Sequence, residues 1–330
     1  SKLLDFSTSL TKNWLSNIGI SFLIKRRISY VVSGTFIIIG LSSLFINGLN
    51  QGVDFVGGRS YVVRFEQPVS QEKIQSNLIK VLGNAEVKTF GSDNQLKITT
   101  NYKVDIDSSD IDDEINNILY TDLIEFMPEN IAYEDFVVNG DENKQAGIMS
   151  SIKVGPTIAD DIKKNSFYAV FGSLIIVFLY ILLRFKNWQF SLGAVSAVFH
   201  DVLVVLGIFS LTYSFMPFNM EINQAFIAAV LTVIGYSLND TVVVFDRIRE
   251  YRNINTSWEL PRVVDSALNS TLSRTLNTSF TTLVVLISIF VFGGESIRGF
   301  MFALIVGVLI GTYSSVFVAT PVMYDTLKKK

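Results

Sequence analysis

Six long apolar blocks, almost free of charge, constrain this chain more than any other feature of its sequence. They run over residues 28–48, 166–183, 190–211, 223–246, 269–292 and 299–322. A helix needs about 20 apolar residues to cross a bilayer, and each block is close to that length or longer. Only 17% of the 330 residues are charged, against about 25% in soluble domains. The sequence therefore predicts a membrane protein with six transmembrane helices.

The connections between these blocks alternate between segments rich in Lys and Arg and segments that nearly lack them. Alternate connections and the end of the chain are basic: Lys25, Arg26, Arg27, Arg184, Lys186, Arg247, Arg249, Arg252, Arg262 and Lys328–Lys330. Residues 212–222 contain no Lys or Arg, and the loop before the sixth block contains only Arg298. Because Lys and Arg are enriched in cytoplasmic loops, we expect both termini in the cytoplasm and residues 49–155 in the periplasm of a Gram-negative cell.

The segment between the first two blocks is polar and has the pattern of a soluble domain. Runs typical of strands cover residues 60–65, 85–90, 95–100, 131–138 and 147–154, amphipathic helical runs cover 71–82 and 111–123, and residues 91–94 form a turn. The order β-α-β-β-α-β predicts a ferredoxin-like α+β domain inserted between spans 1 and 2.

The predicted division of the chain follows from these patterns. Residues 28–48 form span 1, residues 49–155 the periplasmic domain, residues 156–325 spans 2–6, and residues 326–330 a cytoplasmic tail. Residues 1–27 are either a cytoplasmic linker or an interfacial amphipathic helix, since apolar residues recur every fourth position there: Leu10, Trp14, Ile18 and Phe22. The chain begins with Ser1 and has no cleavable signal pattern, so we expect a fragment, a tagged chain or one half of a longer polypeptide.

Charged residues inside the apolar blocks are the candidate functional residues. An intramembrane charge costs at least about 2.5 kcal/mol and marks a functional site by default. Asp240 in the fourth block and Arg274 in the fifth lie at similar depths. At 1.5 Å per residue, each is about 8–10 Å from the cytoplasmic end of its span. A carboxyl can load and release a proton, whereas a guanidinium stays charged. Two interpretations remain open for these residues: a proton-carrying Asp240 tuned by Arg274, or a structural salt bridge.

Other polar residues in the same blocks are candidate supporting residues. Asn239 adjoins Asp240, and Thr278 and Thr282 belong to a polar stripe on the fifth block that must face protein or water rather than lipid. His200 and Asp201 adjoin each other inside the third block. This pair either belongs to a proton route or forms a structural hydrogen-bonded unit.

The residue inventory excludes several function classes. The chain has no Cys and one His, which excludes a disulfide framework, a thiolate metal site, an Fe–S cluster and a Cys nucleophile. No nucleotide-binding loop, nucleophile elbow or metal-ligand cluster is present in the sequence. A net charge of −3 gives no indication of a nucleic-acid partner. We therefore expect no enzyme and no cofactor, with protons as the coupling ion.

Several motifs together resemble one known family. They are Gly52–Gly58 (GVDFVGG), Val154–Pro156 (VGP), Val230–Arg247 (VLTVIGYSLNDTVVVFDR), Ser273–Ser279 (SRTLNTS), Phe292–Phe300 (FGGESIRGF) and Gly311–Ser315 (GTYSS). Over residues 28–325 the chain resembles the SecD/SecF family of the bacterial Sec export machinery, on its SecF side. The fourth-block motif is long and specific, whereas the glycine motifs alone are weak.

The resemblance implies a fold and a function. The fold is half of a resistance–nodulation–division type transporter in the bacterial inner membrane, with SecD supplying the other six spans. The family uses proton flow to pull exported chains across after SecA has pushed them through SecYEG. The resemblance implies that Asp240 and Arg274 belong to the proton pathway. The start of the chain resembles a cut from a fused SecD–SecF polypeptide. The implied partners are SecD (or a SecD half of the same chain), SecYEG, YajC, YidC, the unfolded exported polypeptide and the lipid bilayer.

Two other functions remain open. The chain could be a non-conducting subunit that stabilises the assembly of SecD with SecYEG. It could also be a small-molecule efflux subunit of the same superfamily. The soluble insert of about 100 residues disfavours efflux, because the efflux pumps of that superfamily usually have much larger inserts.

Overall fold

The computed structural model describes residues 19–106, 108–129, 131–138 and 144–328. The predicted amphipathic segment around Leu10 and Trp14 therefore lies outside the described residues. The first long helix, α1 (Arg26–Ile46), begins after a turn in which Phe22 and Leu23 are buried against the membrane-helix core.

The inserted domain follows α1. Its elements are α2 (Val53–Val56), β1 (Gly58–Arg64), α3 (Gln71–Leu82), β2 (Glu86–Phe90), β3 (Ser92–Thr100), α4 (Ser109–Leu123), a short 3-10 turn (Ile124–Phe126), α5 (Tyr133–Val137) and β4 (Gly147–Val154). The strands form one antiparallel sheet in the order β2-β3-β1-β4. This split β-α-β-β-α-β arrangement confirms the predicted ferredoxin-like fold.

Local sequence signals explain the two main helices of this domain. Ser70 and Ser108 occupy the N-cap positions of α3 and α4, where each side chain accepts a hydrogen bond from a backbone N–H of the first turn. Both helices bury one apolar face against the sheet, as their spacing predicts. The buried residues are Ile74, Leu78 and Leu82 on α3 and Ile111, Ile115, Leu119 and Leu123 on α4.

Two local predictions for this domain were wrong. The predicted strand over residues 131–138 is instead the short helix α5. Tyr133 and Phe136 both pack their rings on Tyr120, with centroids 5.4 and 5.5 Å away. Residues three apart share a face only in a helix, whereas a strand would point them to opposite faces. The hairpin turn is also tighter than predicted, because β3 begins at Ser92 and Gly91 alone, at φ +85°, separates the two strands.

The remaining long helices complete the membrane part. They are α6 (Pro156–Phe185), α7 (Trp188–Thr212), α8 (Gln224–Ile254) and α9 (Leu260–Phe292), followed by α10 (Glu295–Ser314), a π-helical segment (Ser315–Ala319) and α11 (Thr320–Lys328), which run on as one span. Six helices in the described chain are long and apolar enough to cross a membrane, which confirms the predicted number. Most of them extend beyond the apolar blocks.

Helix α7 lies at the centre of the membrane part and packs against α1, α6, α8, α10 and α11. Small residues permit the closest crossings: Gly40 of α1 meets Gly207 of α7, and Gly307 and Gly311 of α10 lie against Val233 and Ser237 of α8. Such small-residue contacts drive helix association in membranes, where apolar burial alone does not. Helices α6 and α9 lie at the periphery and bury little of their surface within this chain.

Candidate functional site

Asp240 is buried in the interior of α8. Its residue surface is 3% exposed, and its Oδ2 atom has no hydrogen-bond partner. A buried carboxylate without a partner is costly in hydrocarbon, whereas the protonated acid is much less so. Asp240 is therefore an ionisable group inside a span whose Oδ2 atom has no partner.

Arg274 lies on the neighbouring helix α9 with its side chain exposed. Its guanidinium is close enough to interact electrostatically with the Asp240 carboxyl. Both residues are in the described part of the chain, and they do not belong to the ion pairs within 4.0 Å found there. Among the described residues, the salt-bridge alternative therefore has no direct contact.

The predicted supporting residues on α8 and α9 separate into two groups. The Tyr236 hydroxyl donates to Thr282 Oγ1 at 3.3 Å, which links the two helices. Asn239 and Thr278 instead face outward, and the Thr278 hydroxyl donates to the Arg274 carbonyl oxygen one turn earlier at 3.0 Å. Thr282 is therefore part of the packed helix pair, and Asn239 and Thr278 belong to its outer surface.

His200 and Asp201 form the centre of a buried polar cluster. His200 Nδ1 and Asp201 Oδ1 share a hydrogen bond of 3.0 Å. Asp201 Oδ2 accepts from the Ser237 hydroxyl at 2.6 Å and from the Ser314 hydroxyl at 2.7 Å. One carboxyl group on α7 thereby binds side chains on α8 and α10, within a span and out of contact with water.

Sequence reasoning missed the two serines of this cluster. Ser237 lies inside the fourth-block motif and Ser314 inside the small-residue stretch of the sixth block. The available signal was spacing, since Ser237 lies three residues before Asp240 and thus about one turn away on the same helix. A serine in a span is ordinarily ambiguous, because its hydroxyl can bond the carbonyl one turn earlier.

A polar outer face runs along α8 and α9. It consists of Thr232, Gly235, Asn239, Arg274, Asn277, Thr278 and Thr281, all exposed in this chain. Polar groups, and above all an arginine, are not stable against lipid tails. This face must therefore be covered by protein or bordered by water.

Ion pairs hold the polar ends of α6 and α8 together. Asp246 of α8 accepts from Arg184 of α6 at 2.9 Å and from Arg249 at 2.8 Å, and Arg247 binds Ser270 of α9 at 3.0 Å. These groups are partly exposed. Among the described residues no group of three or more His, Cys, Asp or Glu side chains is arranged to hold a metal ion.

The fold and these buried groups define a class of protein: a polytopic membrane protein with an inserted ferredoxin-like domain and ionisable residues inside its helix bundle. Two family models match the chain. The model for the C-terminal part of the protein export membrane proteins SecD/SecF matches residues 136–329, and the SecD/SecF GG motif matches residues 42–69. The chain belongs to the SecD/SecF family.

Similar proteins agree with this assignment. The protein translocase subunit SecF of Rhodothermus marinus is 44% identical over 94% of this chain and 94% of its own length. The SecF subunit of Thermodesulfovibrio yellowstonii is 36% identical over 94% of this chain and 95% of its own length. These relatives are named as translocase subunits, which is a transport role.

Solved structures show the same fold. The crystal structure of SecDF from Thermus thermophilus, described as a translocon-associated membrane protein, matches with a TM-score of 0.78 at 28% identity. A crystal structure of SecDF in a form described as super-membrane-facing matches with a TM-score of 0.64 at 28% identity. Each match covers 96% of this chain but 40% of the SecDF chain, so this chain corresponds to less than half of those polypeptides.

Proposed function

We propose that this chain is a subunit of the Sec protein translocase that acts with a SecD-type partner in the bacterial inner membrane. In this proposal the pair uses the proton gradient to drive late steps of protein export, and the 49–155 domain faces the exported polypeptide in the periplasm. SecYEG, YajC and YidC are further proposed partners. Support comes from the relatives named SecF and from the SecDF structures, of which this chain covers 40%.

The observation that carries this proposal is the unpartnered, buried carboxyl of Asp240. In general, burial favours the protonated form of a carboxyl, and a nearby positive charge favours its ionised form. A conformational change that alters either effect would make the carboxyl bind a proton on one side and release it on the other. The electrical part of the gradient supplies about 2.3 kcal/mol per charge per 100 mV.

The outer polar face of α8 and α9 supports the proposed partnership. It contains Arg274 and Asn239 and lies beside Asp240, so a membrane partner that covers it would complete the surroundings of the carboxyl. A SecD-type half with six spans of its own is such a partner. The proton route would then lie between the two halves.

The test replaces Asp240 with Asn in the intact translocase. The Asp240→Asn variant keeps the shape of the side chain but cannot exchange a proton, so we expect it to assemble and to lose the gradient-dependent part of export. The matched control is Asp246→Asn, which removes the same charge from the same helix at its polar end. The measurement is export into inverted membrane vesicles with and without a proton gradient. Normal gradient-dependent export by an assembled Asp240→Asn variant would overturn the proton-carrying role of Asp240.

A further inference from the structure

The cluster around His200 and Asp201 is as deeply buried as Asp240. Asp201 is 1% exposed and His200 is 3% exposed. Both oxygens of Asp201 are hydrogen-bonded: Oδ1 with His200 Nδ1, and Oδ2 with the hydroxyls of Ser237 and Ser314. The carboxyl is thus fully paired, in contrast to that of Asp240.

The hydrogen bond between His200 and Asp201 can hold its proton on either side. If Nδ1 carries the proton, it donates to an ionised carboxylate and Nε2 is bare. If Oδ1 carries it, the carboxylic acid donates to a bare Nδ1, and the neutral ring then carries its own proton on Nε2. The two serine hydroxyls donate to Oδ2 in both cases. Proton movement across this bond therefore changes the charge of Asp201 without breaking the contacts to α8 and α10.

The second ring nitrogen of His200 has no partner. Nε2 is buried and makes no hydrogen bond in the structure. An unsatisfied buried polar atom is destabilising, so a purely structural pair would leave this cost without a gain. The ring lies 6.1 Å from that of Tyr313, whose hydroxyl shares a hydrogen bond of 3.1 Å with Ser33 Oγ on α1. Tyr313 and Ser33 thus form a separate hydrogen-bonded pair on the α1 side of the histidine ring.

Few other ionisable groups face this pair. Asp240 on α8 lies one turn from Ser237, and Tyr313 lies on α10. The other titratable groups on α1, α6, α10 and α11, which also pack against α7, lie at contacts among themselves or on exposed faces. They are Arg26, Arg27, Tyr30, Tyr324 and Asp325 of α1 and α11, Asp160, Asp161, Lys163, Lys164, Tyr168, Tyr180 and Arg184 of α6, and Glu295 and Arg298 of α10.

We infer that His200 and Asp201 form a second proton-binding site of the bundle, with Nε2 as its point of entry and exit. A proton that binds Nε2 releases the Nδ1 proton to Asp201 Oδ1, so one N–H bond forms, one breaks and one O–H bond forms. The pair gains one proton and Asp201 becomes neutral. The reverse transfer releases the proton. This inference rests on the proposed proton coupling and adds a second site to it.

Geometry connects this site to Asp240. The Ser237 hydroxyl donates to Asp201 Oδ2, and Ser237 lies three residues, or about one helical turn, before Asp240 on α8. Ser314 holds it from the last turn of α10, directly before the π-helical segment, and π-helical turns are frequently found at functional sites. Neutralising Asp201 weakens both serine contacts, since hydrogen bonds to a charged acceptor are stronger than those to a neutral one.

Two substitutions separate proton binding from structure. In Asp201→Asn the amide oxygen can accept from both serines and the NH₂ group can donate to His200 Nδ1, so the contacts persist without a titrating carboxyl. In His200→Asn the amide nitrogen takes the place of Nδ1 and can still donate to Asp201. The substitution has no counterpart of Nε2, so that nitrogen is lost. We expect both variants to assemble with the translocase and to lose the gradient-dependent part of export. The expected spectroscopic sign is loss of a pH-dependent carboxyl C=O infrared band in Asp201→Asn, measured on the intact complex, with that band retained in Asp240→Asn.

The outcomes distinguish this site from the proposed role of Asp240. If Asp240→Asn abolishes gradient-dependent export while Asp201→Asn and His200→Asn behave as wild type in export and in its pH profile, the second site is overturned and the proposed function stands. If Asp240→Asn is unaffected but both other variants lose coupling, the second site is supported and the role of Asp240 is overturned. Should Asp201→Asn fail to assemble, His200→Asn decides by export, since it leaves the carboxyl in place.

Discussion

At the scale of single residues, the most constrained charge of the soluble domain is that of Arg59. Its side chain is 2% exposed, and its Nε atom donates to Asp112 Oδ1. Lys153 donates to the other oxygen of Asp112 at 2.9 Å. Burial raises the pKa of Asp112, but the bonds from Lys153 and Arg59 outweigh this effect and hold its pKa below the usual range. The carboxylate therefore neutralises a buried guanidinium between β1 and α4.

Replacing Asp112 should destabilise the chain in a pH-dependent way. Removing one partner of a fully buried pair costs about 3–5 kcal/mol; Asp112 is 35% exposed, so we expect roughly 1–3 kcal/mol for Asp112→Asn at pH 7. Because the folded pKa is depressed, this stabilisation is complete above the unfolded value of about 3.9 and is lost as pH falls through the folded value. The melting temperature of the full chain at pH 7 and at pH 3 measures this difference.

The matched control for this prediction is Asp113→Asn. Asp113 lies next to Asp112 on the same helix, is exposed, and loses the same charge. Its melting temperature should stay close to that of the wild type at both pH values. Equal effects of the two substitutions would show that the pairing with Arg59 does not contribute.

At the scale of elements, close helix crossings organise the membrane part. A Cβ atom added at Gly207 would lie 2.6 Å from the Cα atom of Gly40, which is backbone and cannot rotate away. The Ser43 and Ser210 hydroxyls bond across the same helix pair at 2.8 Å. The α1–α7 crossing thus depends on two glycines and one interhelical hydrogen bond.

The substitution Gly207→Ala should force α1 and α7 apart. Overpacking of this kind costs about 1–3 kcal/mol, more than the roughly 1 kcal/mol that alanine gains over glycine within a helix. The control is Gly34→Ala on α1, where an added Cβ atom meets nothing within 4 Å. Thermal unfolding of the detergent-purified chain should show a lower melting temperature for Gly207→Ala alone. Equal melting temperatures for both variants would contradict the tight crossing.

At the scale of the whole molecule, the soluble domain is attached to the loop that begins α8. Lys97 of β3 forms a buried ion pair with Glu221, and Gln51 pairs with Ile222 as an isolated β-bridge. Asp54 in the GG-motif segment accepts from the backbone N–H of Gln224, in the first turn of α8, at 3.0 Å. The helix that carries Asp240 therefore begins at the contact with the domain, and a displacement of either part acts on the other.

Breaking the Lys97–Glu221 pair should loosen this attachment. Glu221 is 5% exposed at its side chain, so Lys97→Met leaves a buried carboxylate unpaired, at a cost of about 3–5 kcal/mol. We expect a lower melting temperature and faster amide hydrogen exchange over residues 219–224, with partial recovery in Lys97→Met/Glu221→Gln. The control is Lys88→Met, which breaks a partly exposed pair with Glu86 worth at most about 1 kcal/mol. No recovery in the double variant would argue against a direct pairing.

The sequence alone determined the class of this protein. The six spans and the ferredoxin-like insert were predicted correctly. The length of an apolar run decides whether a helix can cross a bilayer, and residue periodicity decides which face of a helix or strand is buried; both are properties of local sequence. The candidate residues Asp240, Arg274, Asp201 and His200 were also visible, since a charge inside an apolar block stands out without knowledge of its neighbours. The helix α5 was missed because its conformation depends on packing two aromatic rings onto Tyr120.

The tertiary structure alone decided how the candidate residues are grouped. Asp240 and Arg274 lie on neighbouring helices without a direct ion pair, whereas Asp201 joins Ser237 and Ser314 from spans that are distant in sequence. Which side chains meet depends on the rotation of each helix about its axis, and this rotation is set by contacts such as that of Gly311 with Ser237. Such contacts are made between segments far apart in the chain, so no local pattern encodes them.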